Sequence, residues 1–252
     1  MIRYTFFIGA ALLFLMTTAC KETKAEATTQ TMPEPPTQEA TKRDTISTTT
    51  EYKQNPTDFI PKGFVLFEKI LGDVNKDGVK DCVLIIKGTD QSKFVTDEYR
   101  GKLDRNRRGI IILLNRNKGY ELAVKNYNCF SSENEDGGIY FAPDLMVSIE
   151  KGNLYIHYAH GRYGYWKYTF RYQNSDFELI GYDQSENNGP IVNAETSINF
   201  LTKKKVTKVN TNDESEGGDE IFETTTTKIK SAQLYKLTQI KDFNEFEMNE
   251  EG

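Results

Sequence analysis

The chain has few of the residues on which enzyme chemistry is usually built. Its 252 residues include two histidines, three cysteines and one tryptophan. No CxxC pair, glycine-rich phosphate loop or nucleophile elbow is present, which excludes dithiol redox chemistry, P-loop chemistry and the α/β-hydrolase arrangement. Apolar residues at helical spacing are also missing. The one stretch of helical composition, 96–108, reads equally well as a charged loop. The net charge is −5, and one more negative without residues 1–19, whose sole charge is Arg3. Without a basic patch, no nucleic-acid partner is expected.

What the chain does have is one dense run of oxygen-bearing residues, Leu71-Gly72-Asp73-Val74-Asn75-Lys76-Asp77-Gly78-Val79-Lys80-Asp81, leading into the apolar Cys82-Val83-Leu84-Ile85-Ile86. Asp73, Asn75, Asp77 and Asp81 offer side-chain oxygens, Val79 its carbonyl, and Gly78 sits where such a loop turns sharply. Calcium takes six to eight oxygens at about 2.3–2.6 Å, and this spacing suits it. The EF-hand pattern fails in two places. Leu84 stands where the bidentate Glu belongs, and the flanks 63–67 and 82–86 have strand character. A polar turn rich in Asn, Asp and Gly is the competing reading.

The residues GDVNKDGVKDCVLII resemble the loop of FG-GAP/VCBS-type repeats of extracellular β modules. The resemblance implies an Asp/Asn-lined calcium site between two strands. A propeller would need several such loops, and there is one. With three carboxylates and no bidentate Glu, the expected Kd is in the weak extracellular range of about 10⁻⁴–10⁻³ M. At ~1 mM calcium and a Kd of ~0.1 mM, binding adds roughly 1.4 kcal/mol. That is the scale of a structural staple.

The N-terminus reads as a processing segment. Arg3 gives a positive start, 6–16 a short apolar region, and Thr17-Thr18-Ala19 small residues before Cys20. The apolar run is too short to span a bilayer comfortably. Small residues followed by cysteine resemble a bacterial lipobox, although Thr17 replaces the usual Leu. The resemblance implies signal removal after residue 19, lipidation of Cys20 and anchoring in the outer membrane of a Gram-negative bacterium; plain secretion is the alternative. Residues 20–56 are Thr, Glu, Lys, Gln and Pro with hardly an apolar side chain, which predicts a flexible tether. The 36 residues after Cys20 reach about 30–36 Å.

From 57 to 252 the composition predicts a single all-β domain of antiparallel, sandwich-like or curved sheets built from hairpins. Strand candidates are 110–114, 120–124, 145–150, 154–158, 166–172, 177–182, 198–209 and 228–237. In 166–172, Trp166, Tyr168, Phe170 and Tyr172 share one face and Lys167, Thr169 and Arg171 the other. The segments TFRYQNSDFELIGYD, SINFLT and GDVNKDGVKD resemble a recurring family of uncharacterised secreted bacterial proteins over about residues 57–205. That resemblance implies an exported domain and carries no activity.

Four further features compete with bland explanations. His157 and His160 are three residues apart in a strand and turn, with no third ligand or nucleophile beside them. The acidic loops 133–138 and 213–220 lack spaced ligands. Tyr163, Tyr165 and Trp166 form a candidate ligand platform, or else fill a β core. Cys82 and Cys129 either bridge, closing a loop worth roughly 4 kcal/mol, or stay free, as the apolar setting of Cys82 favours. Two function classes follow: an anchored, calcium-stabilised domain binding a glycan or protein, and a hydrolase of envelope or extracellular polymer. The hydrolase would need two carboxylates about 5–10 Å apart in a cleft, near His157 or Asp144. A purely structural lipoprotein is the third reading.

Overall fold

The computed structural model describes residues 51–137, 140–230 and 233–248. Cys20 and the stretches read above as a processing segment and, as far as residue 50, a tether lie outside them. The described residues are all-β and antiparallel, with no helix of seven or more residues. The first seven strands are β1 (Tyr52–Lys53), β2 (Phe64–Gly72), β3 (Asp81–Gly88), β4 (Phe94–Asp97), β5 (Gly101–Asp104), β6 (Arg108–Arg116) and β7 (Gly119–Phe130). Then come β8 (Asp136–Gly137), β9 (Tyr140–Phe141), β10 (Asp144–Glu150), β11 (Asn153–Ala159), β12 (Gly164–Gln173), β13 (Asp176–Asn188), β14 (Ile191–Asn199), β15 (Lys204–Asn210) and β16 (Phe222–Lys228).

Two sheets carry the fold. One has the order β1-β7-β6-β3-β2, and the other runs β10 to β16 in sequence as a chain of hairpins. One of them curls into a half-barrel. Val83, Ile85, Ile110, Ile112 and Leu114 from the first sheet meet Leu154, Ile156, Tyr168, Phe170, Leu179 and Ile198 from the second in a shared core. The alternate residues Cys82, Leu84, Ile86, Ile111 and Leu113 form a second cluster on the outer face of the first sheet, beneath Phe59, Ile60 and Phe64. The unbroken apolar runs of β3 and β6 therefore reflect burial on both faces. Each such side chain contributes about 1.5–3 kcal/mol.

Several local expectations hold. Trp166, Tyr168, Phe170 and Tyr172 all turn toward the shared core. The β12–β13 turn at Asn174-Ser175 has φ of 53° and 58°, the left-handed pair that suits the strand twist of a two-residue hairpin. Other expectations need correction. The domain begins before residue 57: β1 pairs with β7 through Tyr52 and Lys53, and Pro56 is buried. Segment 96–108 holds no helix; it ends β4, forms β5 and starts β6. Segment 198–209 is two strands joined by a turn at 200–203, and the described residues 229–230 and 233–236 form no strand apart from one bridge between Glu178 and Lys236.

Cys82 and Cys129 are free and buried. They lie in different clusters, Cys82 under the outer layer and Cys129 in the shared core, so the sheet separates them and no bridge forms. Burial pushes the Cys82 thiol up to about 11 and raises Cys129 as well, so neither is a ready nucleophile.

Candidate functional site

The loop between β2 and β3 is held together by its own carboxylates. Asp73 Oδ1 accepts from the N–H of Lys76 at 2.6 Å and of Asp77 at 3.2 Å, and Oδ2 from Gly78 at 2.9 Å. Asn75 accepts from Asp77 N–H at 3.0 Å and donates its amide to Asp77 Oδ2 at 2.8 Å. Asp77 Oδ1 accepts from Val79 N–H at 2.9 Å, and Arg116 approaches Oδ2 at 3.2 Å. Gly78 has φ +85°, a conformation that glycine takes without penalty.

Asp81 does a different job. It is fully buried, with Oδ2 accepting from Val74 N–H at 3.0 Å and Oδ1 from Asn115 N–H at 2.9 Å. It ties the loop to the end of β6. Burial raises its carboxyl above the ordinary range against the two N–H bonds, and the charges of Asp77 and Asp73 add to the rise. Asp77 is held below that range, first by Val79 N–H and then by the Asn75 amide. Among the described residues, no three His, Cys, Asp or Glu side chains converge as a metal-holding group. Asp73, Asn75 and Asp77 share one exposed loop; Asp81 is set inward from it.

The donor chemistry nevertheless suits a hard cation. Each carboxylate has about four acceptor positions. Asp73 Oδ2 and Asp77 Oδ1 each accept a single N–H, so acceptor capacity remains on the loop. The repulsion among Asp73, Asp77 and Asp81 is what a divalent ion would relieve.

The aromatic platform is rearranged. Tyr165 and Trp166 are successive residues of β12 and point to opposite faces. Trp166 stacks on Tyr158 at 5.4 Å against the shared core, whereas Tyr165 sits edge-on to His157 at 5.2 Å. Gly164 fixes this entry: it has φ +101°, and a Cβ there would lie 1.9 Å from the Ser185 carbonyl oxygen. Tyr165 lines a small cleft of about 120 Å³ with Asp183, Glu195 and Lys208, and Tyr163 stays at a larger opening. Tyr163 lines a cleft of about 350 Å³ with Phe141, Ala142, Asp144, Ala159, His160, Gly161 and Arg162. Phe141 is 79% exposed, and the His160 ring lies 5.1 Å from that of Tyr163. Phe141 carried no signal in the sequence, because strand pairing of the two-residue β9 alone brings it there.

The histidines do not act together. His157 is on β11 opposite Lys167, and burial, then the Lys167 charge, lowers its imidazole below the ordinary value. His160 belongs to the cleft. The Nε2 atoms of both are buried without a hydrogen-bond partner. In the acidic loops, Glu133 pairs with Lys87 of β3 at 2.8 Å, and Asp219 accepts from Ser215 Oγ at 2.7 Å. Comparison with family models, curated proteins and solved structures finds no match.

Proposed function

We propose that this chain is a lipoprotein, anchored through Cys20 to the outer membrane, whose calcium-stapled β domain binds a glycan in the cleft beside the β11–β12 turn. The cleft itself carries the reading. The exposed Phe141 ring and Tyr163 offer faces for a sugar ring, while His160, Arg162 and Asp144 offer donors and acceptors for its hydroxyls. A cleft of this volume with a few polar groups is the usual form of a small-ligand site. Among the described side chains its lining holds one carboxylate, Asp144, which favours binding over a two-carboxylate hydrolase.

Titration of the protein with oligosaccharides from bacterial envelopes tests this. Phe141→Ala should weaken binding roughly threefold to tenfold, matching a ring contact of about 0.5–1.5 kcal/mol. Indifference to every oligosaccharide tried would end the glycan reading.

The staple's ligands are Asp73, Asn75, Asp77 and the Val79 carbonyl on the exposed loop, with Asp81, whose oxygens accept from Val74 and Asn115 N–H, anchoring the loop from within. Millimolar calcium, but not magnesium, should raise the melting midpoint by a few degrees over EDTA. Asp77→Ala should remove that rise; an unchanged calcium response would reduce the loop to a polar turn. The anchor is read separately. Cys20→Ser should move the protein out of the membrane fraction, and retention there would disprove lipid attachment.

A further inference from the structure

The second sheet ends in a strand with nothing on its outer side among the described residues. β16 is exposed at all seven positions, so both of its faces are bare as well as its edge. The opposite edge of that sheet is crowded: β10 runs beside β2, where a Cβ at Gly72 would meet Ile149 at 2.8 Å. Free edges are normally blunted by proline, bulges or inward-pointing charge. β16 has no proline, and its pairing with β15 runs without a register shift from Lys204↔Lys228 to Asn210↔Phe222. Thr224, Thr225, Thr226 and Thr227 give it high strand propensity without apolar surface to bury.

We propose that β16 pairs antiparallel with β16 of a second copy of this chain. A two-fold axis perpendicular to a sheet places a residue opposite itself, because opposed residues share a face. One such register pairs all seven residues, the one centred on Thr225. It sets Thr225 against Thr225, Thr224 against Thr226, Glu223 against Thr227 and Phe222 against Lys228, with no like charges opposed. Lys228 gains from this. Within its own chain it lies across from Lys204 and has no carboxylate partner among the described residues, and the second copy gives it the ring of Phe222, which its own Lys208 approaches only at 6.0 Å. The two sheets become one continuous sheet through the pair. A seven-residue strand is about 24 Å long. The contact falls well below the ~800 Å² per partner of a stable complex, so the association is weak and concentration-dependent.

The self-opposition of Thr225 supplies the test. Sedimentation equilibrium of the full chain in detergent should show a monomer–dimer equilibrium. Thr225→Glu and Thr225→Lys, each placing like charges across the axis, should weaken it at least fivefold, with melting unchanged at this exposed position. An equimolar mixture of the two variants should restore pairing. Three results would overturn the proposal: a wild-type chain that stays monomeric at its highest soluble concentration, charge variants that dimerise as well as wild type, or a mixture no better than either variant. A monomeric chain whose β16 amides become protected from exchange in an envelope extract would assign the edge to a foreign strand, and self-pairing would again be lost.

Discussion

Asp81→Ala is expected to destabilise the domain by about 2–6 kcal/mol, because two buried N–H groups lose their acceptor at once, each worth about 1–3 kcal/mol. Those donors are Val74 at 3.0 Å and Asn115 at 2.9 Å, one in the loop and one at the end of β6. The midpoint should fall by on the order of 10 °C. Asp81→Asn keeps one acceptor oxygen and should fall between. A variant melting within a degree of wild type would show that the carboxylate is not the tie between loop and sheet. The pH dependence has a definite sign. Asp81 binds its proton more tightly folded than unfolded, because burial raises its carboxyl. Its contribution is thus greatest below the unfolded carboxylate value and fades as pH rises through the folded one. Asp77 has the opposite sense, since Val79 N–H and the Asn75 amide lower it. Its contribution is present above the unfolded value and is lost as pH falls through the folded one. Comparing wild type with Asp81→Asn across acid pH separates the two.

Phe243→Ala should be equally damaging, costing about 3–5 kcal/mol. Phe243 is 2% exposed and belongs to no strand, yet it lies within the aromatic centre of the shared core. Its ring is 5.0 Å from Tyr168, 5.3 Å from Phe130 and 6.2 Å from Phe170. Its N–H donates to the Cys129 carbonyl at 3.0 Å, and the neighbouring Asp242 pairs with Arg107 at 2.7 Å. Asn126 on β7 donates its amide to the carbonyls of Leu237 and Ile240. Residues 233–248 are thus a plug, fixed by single anchors instead of a ladder. Chemical denaturation checks the magnitude, and a loss under 1 kcal/mol would show that the core closes without it.

The parts of the fold legible in the sequence are those where burial imposes a pattern. The apolar runs of β3 and β6, the aromatic face of β12 and the turn at Asn174-Ser175 all follow from burial or twist. β16 was not legible, because exposure on both faces removes hydrophobic alternation. Segment 228–237 alternates like a strand, but Ile229, Leu234, Tyr235 and Leu237 are individual anchors in the core. The relation of Cys82 to Cys129 was hidden by geometry. β6 and β7 pair through two register shifts, so counting residues cannot say which face Cys129 takes. At the candidate site the loop was visible by its spacing, but the inward role of Asp81 depends on Asn115, 34 positions away. The cleft is half legible: Tyr163 stands out, whereas Phe141 reaches it from a two-residue strand too short to leave a pattern.

The placement of the two thiols gives the molecule a built-in reporter in each apolar layer. Cys82 can meet a thiol reagent only when the cover formed by Phe59, Ile60 and Phe64 lifts. Cys129 can meet it only when the two sheets part around Phe243. Labelling rates at these two positions therefore time the opening of the outer layer and of the inter-sheet layer independently, in the unmodified chain.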